Sequence, residues 1–112
     1  MTEEKEAGVP TAEVLALASL AAYQEGAVVS RTIIDKGVGT VTAFAFAAGQ
    51  GLSEHTAPFD ALVYIYDGEA VITVAGTPRR VKAGEFIILP AGKAHALRGP
   101  GAFKMLLVMI RA

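Results

Sequence analysis

The chain has 112 residues, the size of a single domain, and at 53% hydrophobic and 19% charged it carries enough apolar surface for a core, which excludes a disordered composition. Its formal net charge is −1 and its basic residues are spread thinly apart from Arg79-Arg80-Val81-Lys82, so nucleic-acid binding is not expected. The absence of cysteine excludes disulfides, thiolate catalysis and cysteine-type zinc sites, and no apolar run reaches the roughly 18 to 20 residues of a membrane-spanning helix.

In chain order, residues 1 to 10 read as a flexible N-terminus, acidic at its start and lacking the basic region of a signal peptide, which points to the cytoplasm. Residues 11 to 112 read as one domain. Pro10-Thr11 is expected to open a helix over 11–23, with Thr11 as N-cap and Glu13 in the first turn, where the helix dipole favours a carboxylate. Its Val14, Leu15, Leu17, Leu20 and Ala21 leave little polar surface, so the helix should lie against the rest of the fold or a partner. Gly26 ends that region.

From Ala27 the pattern changes to short runs rich in Val, Ile, Thr, Phe and Tyr, punctuated every 8 to 12 residues by glycine or proline, the spacing of an all-β sandwich or barrel. Strands are predicted over 27–35, 40–47, 60–67, 69–75, 79–82, 86–89, 94–98 and 102–110. Asp67-Gly68, between two apolar runs, is the strongest hairpin signal. No βαβ-type helix interrupts the strands, which makes a parallel sheet improbable. Two strands are apolar on both faces: Ala61, Val63 and Ile65 oppose Leu62, Tyr64 and Tyr66, while Phe103, Met105, Leu107 and Met109 oppose Leu106, Val108 and Ile110. A half-solvated antiparallel strand should alternate with polar residues, so the second face calls for cover, and a homodimer is predicted.

The two histidines, His55 and His95, stand in glycine-punctuated segments, Gly49-x5-His55 and Gly84-x5-Pro90-Ala-Gly92-x2-His95. The stretch from Gly49 through His55, Ala57 and Ala61 to Gly68 resembles the first conserved motif of the cupin superfamily, G-x5-H-x-H-x3or4-E-x6-G. The stretch from Gly84 through Pro90, Gly92 and His95 to Gly99 resembles the second, G-x5-P-x-G-x2-H-x3-N. Glycines, proline and spacings match through both, and the whole chain is similar to small single-domain cupins. The resemblance implies an all-β fold, an antiparallel double-sheet jelly-roll barrel with both motifs lining one pocket, here with a short N-terminal helix.

In typical members three histidines and a glutamate from those motifs hold a divalent metal. Carried over by position, His55 matches the first ligand and His95 the last, while Ala57 stands for the second histidine, Ala61 for the glutamate and Gly99 for the closing asparagine. Residues two apart on a regular strand share a face, so 55, 57, 61, 63 and 65 are expected on one side, and Glu54 on the other. Two ligands have become methyl groups, and two imidazoles supply no negative charge. Gln50, Glu54 and Tyr64 are the nearby groups that a replacement would have to come from.

Three readings of His55 and His95 stay open: a site for iron, manganese, nickel, copper or zinc completed from outside, a metal-free pocket in which imidazoles hydrogen-bond or protonate a small polar ligand, and satisfied core groups of a decayed site in a structural dimer. The pocket lining is expected from Ala57, Ala61 and Val63, with Phe44, Phe46 and Met105 from neighbouring strands, a mainly apolar cavity. The leading reading is a small-molecule-binding protein, a sensor or sequestering module, with activity unassigned because the fold serves dioxygenases, isomerases, decarboxylases and sugar-sensing domains alike. The alternative is a metal-dependent enzyme, of dioxygenase or isomerase type, acting on a small organic acid, sugar or aromatic compound. Neither reading gives the chain a nucleic-acid or membrane partner.

Overall fold

The computed structural model describes residues 9–111 and, as backbone, Thr2–Glu6. Ten strands are found among them: β1 Thr2–Glu6, β2 Ala27–Lys36, β3 Gly39–Phe46, β4 Gly51–His55, β5 Asp60–Asp67, β6 Glu69–Val74, β7 Thr77–Lys82, β8 Phe86–Leu89, β9 His95–Arg98 and β10 Phe103–Ile110. They form a six-stranded sheet, β1-β2-β3-β10-β5-β8, and a four-stranded sheet, β4-β9-β6-β7. All pairings are antiparallel except β1 with β2. This is the double-sheet jelly roll expected from the sequence.

The two sheets meet through one apolar layer. Phe46, Val63, Ile65, Phe103 and Met105 of the larger sheet pack with Ala70, Ile72, Val81 and Leu97 of the smaller in a single cluster. Their even or odd spacing along each strand sends them to the same face, as a sandwich requires. The Phe46 and Phe103 rings stack at 4.5 Å between centroids and 8° between planes, and both side chains are fully buried. Such burial contributes roughly 1.5–3 kcal/mol for each large apolar side chain.

Two expectations are corrected. The helix over 11–23 is absent: only Leu17–Ser19 forms a turn of 3-10 helix, Ala12 has a φ of 61°, and Val14 and Leu15 are exposed. What the segment buries is a short stretch, Leu20 and Ala21, against Val29, Ala43 and Ala45 on the outer face of the larger sheet. That contact demands two adjacent side chains rather than a helical stripe, and without a buried stripe a short helix is not stable in water. The segment is fastened as a strap instead, with Tyr23 Oη donating to Asp67 Oδ2 at 2.5 Å and Lys104 Nζ donating to the Ala18 carbonyl at 2.9 Å.

Asp67-Gly68 is a crossover and not a hairpin, since β5 and β6 belong to different sheets. Gly68, at φ 71°, lies so close to the Ala102 carbonyl oxygen that a Cβ would collide with it. The two-residue hairpin falls at Ala75-Gly76, where both residues have positive φ and Val74 faces Thr77. Residues 1–10 are the stretch read as a flexible N-terminus. Thr2–Glu6 runs parallel to β2, and so supplies partners to a backbone edge that would otherwise stand open. Met1, Ala7 and Gly8 lie outside the described residues.

Replacing Phe103 with Ala should therefore cost about 3–5 kcal/mol, while Val14→Ala should change stability by less than about 0.5 kcal/mol. Urea unfolding midpoints of the two variants check both values, and an equal effect from each would contradict the packing described.

Candidate functional site

β4 and β9 are neighbours in the smaller sheet, with His55 directly opposite His95. A β-bulge between Leu52 and His55 gives β4 one extra residue against β9, where Leu52 faces Leu97. Residues 52 and 55 would fall on opposite faces of a regular strand, and the bulge brings both to the interior. The expected shared face of 55, 57, 61, 63 and 65 does not come from one strand, because β4 ends at His55 and β5 starts at Asp60 in the other sheet. His55, Ala57, Ala61 and Val63 still converge, now from two opposed walls and the loop between them.

The loop is clasped by the second motif. The Ala57 carbonyl accepts the Gly92 N–H at 2.8 Å, and Asp60 Oδ1 accepts the Ala91 N–H at 2.8 Å. Gly92 has a φ of 78°, which favours glycine at the turn that leads into β9. Gly99, where the family pattern has asparagine, has another reason: a Cβ there would stand 2.6 Å from the Phe103 ring. The asparagine is thus replaced by close packing of the chain on Phe103.

The resulting cavity is about 50 Å³ and largely enclosed, with His55 and His95 joined by Ala57, Ala61, Val63 and Met105. Leu52, Leu89, Leu97, Leu107 and Met109 complete the wall and were not singled out from sequence. Leu107 and Met109 were readable, since they share the spacing of Met105 along one strand. Phe46 is elsewhere, wholly inside the core against Phe103, and Phe44 lines a neighbouring cleft rather than this cavity. Tyr64 points away, since its register partners Leu106 and Phe86 stand on the outer face of the sheet.

His95 is buried and His55 exposed, so the pair spans the rim of the cavity. Their Nε2 atoms are 3.1 Å apart and the rings meet edge to face at 73°. Each Nδ1 lies against a backbone carbonyl, His55 on Ser53 at 2.8 Å and His95 on Lys93 at 3.3 Å. A carbonyl only accepts, so it favours the tautomer with hydrogen on Nδ1 and leaves a lone pair on Nε2. Two lone pairs then converge, and what fits between them is a proton, a donor group of a ligand, or a metal ion. Burial, and then the neighbouring His55, push the pKa of His95 down, with the Lys93 carbonyl acting in the opposite direction. Near neutrality the neutral ring is therefore favoured.

A resident divalent metal is a poor fit to this donor set. The described residues contain no group of three or more His, Cys, Asp or Glu side chains placed to hold an ion. The imidazoles are held as metal-ligating histidines are, by carbonyls behind Nδ1, yet they bring no charge and the cavity offers no carboxylate beside them, only aliphatic groups and the weak thioether donors of Met105 and Met109.

Residues 43–111 match the family described as the cupin domain. Similar solved structures include a conserved protein of unknown function from Streptococcus pyogenes, 36% identical, covering 93% of this chain and 91% of that one with a TM-score of 0.88. A cupin superfamily protein from Desulfitobacterium hafniense is 34% identical, with 93% and 95% covered and a TM-score of 0.86. A cupin 2 conserved barrel domain protein from Leptotrichia buccalis is 41% identical, covering 83% of this chain but 45% of that one, with a TM-score of 0.80. No curated protein matches the chain.

The lowered pKa of His95 fixes the sign of a pH effect. Its contribution to stability is fully present above the unfolded value of about 6.5, and is lost as pH falls below that value and through the folded one, because the unfolded chain takes up the proton first. Urea midpoints should hold steady at and above neutrality and drop on acidification. NMR titration should place His95 below about 6.5 and move it upward in His55→Ala, with an unmoved or falling pKa contradicting the coupling.

Proposed function

The chain belongs to the cupin domain family, and from that membership we propose that its barrel binds a small molecule without a tightly held metal. The observation that carries the reading is the convergence of two imidazole Nε2 atoms, 3.1 Å apart, on an enclosed cavity whose remaining wall is apolar. The two Nε2 atoms can receive one ligand hydroxyl or ammonium hydrogen, while Ala57 and Ala61 make room for an apolar group where larger ligating side chains would intrude. A sensor or sequestering module needs nothing more than this selective capture. Small-molecule sites are usually built in this way, an apolar wall with a few placed polar groups fixing orientation.

A second reading is supported by the carbonyls behind both Nδ1 atoms, which orient the rings as in a metal centre. In a metal-dependent enzyme His55 and His95 would be the protein ligands, and iron, manganese, nickel, copper or zinc would supply Lewis-acid or oxygen chemistry, with its other positions filled by substrate and water. The missing carboxylate makes this the weaker reading.

We also propose a homodimer formed through the outer face of the larger sheet. The strap covers only the part around Val29, Ala43 and Ala45. Beyond it Phe86 is 61% exposed, Ile110 50% and Ile88 49%, beside half-buried Leu62, Tyr64 and Val108. A continuous apolar face of this kind is unusual on a monomer. No helix among the described residues is long and apolar enough to cross a membrane.

Protein purified without an affinity tag should carry much less than one transition-metal ion per chain by elemental analysis, a level unchanged in the His55→Ala, His95→Ala double variant. A stoichiometric metal lost in that variant would establish the second reading. Light scattering should give about twice the 11.6 kDa of one chain, with Phe86→Glu and Ile88→Lys together shifting the mass to the monomer. A monomeric parent protein rules the dimer out.

A further inference from the structure

The inner face of the larger sheet changes character halfway across. On β10, β5 and β8 it is apolar and packed, as the inside of a sandwich should be. On β2 and β3 the inner face starts apolar, with Val28 and Phe46 in the core, and the alternation inverts beyond them. Register pairs Ser30 with Phe44 and Thr32 with Thr42 on the inner side, while Val29, Ala43 and Ala45 face outward under the strap. Inward hydroxyls with outward methyl groups are the opposite of what burial alone would select.

A second bulge strengthens the pattern. Between Thr32 and Ile34 the register of β2 slips by one, and Asp35 comes to lie opposite Thr40. Without the slip, Asp35 would share the outward parity of Val29 and Arg31. With it, the carboxylate joins Thr40 around one cleft of about 310 Å³ that Phe44 also lines. Bulges that re-aim a side chain in this way are common beside binding sites.

The cleft and the small cavity at the histidines share two wall residues, Leu107 and Met109. The cavity alone, about 50 Å³, is far below the roughly 300–1,000 Å³ of ordinary ligand sites, whereas the cleft reaches that range. They lie side by side against Leu107 and Met109, the cavity apolar apart from its histidines and the cleft hydroxylic.

We propose that this cleft is a recognition subsite for a small polyhydroxylated molecule, held by Thr32, Thr40, Thr42 and Asp35, with Phe44 as its aromatic wall. Hydroxyls both donate and accept, so a row of threonines matches a row of ligand hydroxyls without selecting a charge, and the carboxylate takes two adjacent ligand O–H donors. The proposal rests on the reading of the barrel as a small-molecule site and specifies which chemistry the outer half selects. Arg111 steadies the far rim, its Nη1 donating to the Lys36 carbonyl at 3.1 Å and its backbone N–H to the Val38 carbonyl at 2.7 Å.

The test titrates the full chain with myo-inositol, D-glucose and cyclohexanol while following the methyl signals of Thr32, Thr40, Thr42, Met105 and Met109 by NMR. Both polyols should give saturable shifts at the three threonines and Met109. Thr42→Val and Asp35→Asn, which keep side-chain shape, should each weaken polyol binding by about tenfold, as expected for one lost hydrogen bond between well-matched groups. The His55→Ala, His95→Ala variant should still shift the threonine methyls. Cyclohexanol shifting Met105 alone leaves the inner cavity as a ligand site, and if the polyols do no more than that, the subsite is overturned. It is equally overturned if no polyol gives a saturable shift, or if Thr42→Val and Asp35→Asn bind as the parent does.

Discussion

The site depends on the clasp between the two motif loops. Ala57 and Asp60 follow the first histidine, Ala91 and Gly92 precede the second, and two backbone N–H groups donated across the gap hold those stretches together. Both bonds form at the end of the sandwich, where each sheet has run out of ladder partners. The clasp therefore satisfies loop backbone groups and fixes the separation of the imidazoles in one arrangement. His95 enters β9 directly after the clasped turn, and His55 leaves β4 directly before it. Loosening either hydrogen bond would alter the approach of the Nε2 atoms before it affected the core.

Most of the strand order was legible because β-branched and aromatic runs broken by glycine and proline are a local signal, and eight of the strands fall within a few residues of where they were expected. The misses share a cause. A helix over 11–23 has the spacing of an amphipathic helix, but its fate depended on the shape of a distant surface made by Val29, Ala43 and Ala45. Asp67-Gly68 has the composition of a hairpin turn, yet whether the next strand pairs with the last or moves to the opposite sheet is decided by tertiary packing at Gly68. The break at 76–78 between two predicted strands does mark the true hairpin, but Ala75, an unlikely residue for positive φ, conceals that the turn itself is Ala75-Gly76. β4 went unlisted because Gly51-Leu-Ser-Glu-His55 contains a single apolar residue and pairs on one side only.

The site itself was legible as a list of residues and illegible as a shape. Motif spacing singled out His55, Ala57, Ala61 and His95, and these do come together with Val63 and Met105. Parity along an ideal strand cannot reveal a bulge, and this barrel has bulges beside both the cavity and the cleft, between Leu52 and His55 and between Thr32 and Ile34. Each shifts a functional group by one residue, turning His55 inward in the first case and Asp35 inward in the second. A reader of alternation alone places Asp35 with the outward residues and counts Thr32, Thr40 and Thr42 as ordinary strand formers. Phe46 was expected at the pocket for the same reason, since parity gives its face but not its depth beneath Phe103.

The two alanines are then more than vacant ligand positions. A carboxylate at position 61 would sit on the wall that Val63 and Leu89 share, in a space too small to hold it apart from the imidazoles, and it would demand a cation to be stable there. With Ala57 and Ala61 the demand disappears, and the converging lone pairs can be satisfied by a hydrogen bond from a neutral ligand. The adjoining cleft is furnished in the same way, mainly with neutral hydroxyls. Where the family pattern puts a glutamate this barrel has a methyl group, and beside that apolar cavity lies a cleft lined mainly by hydroxyls, surroundings that suit a hydroxylated molecule better than an ion, as proposed above.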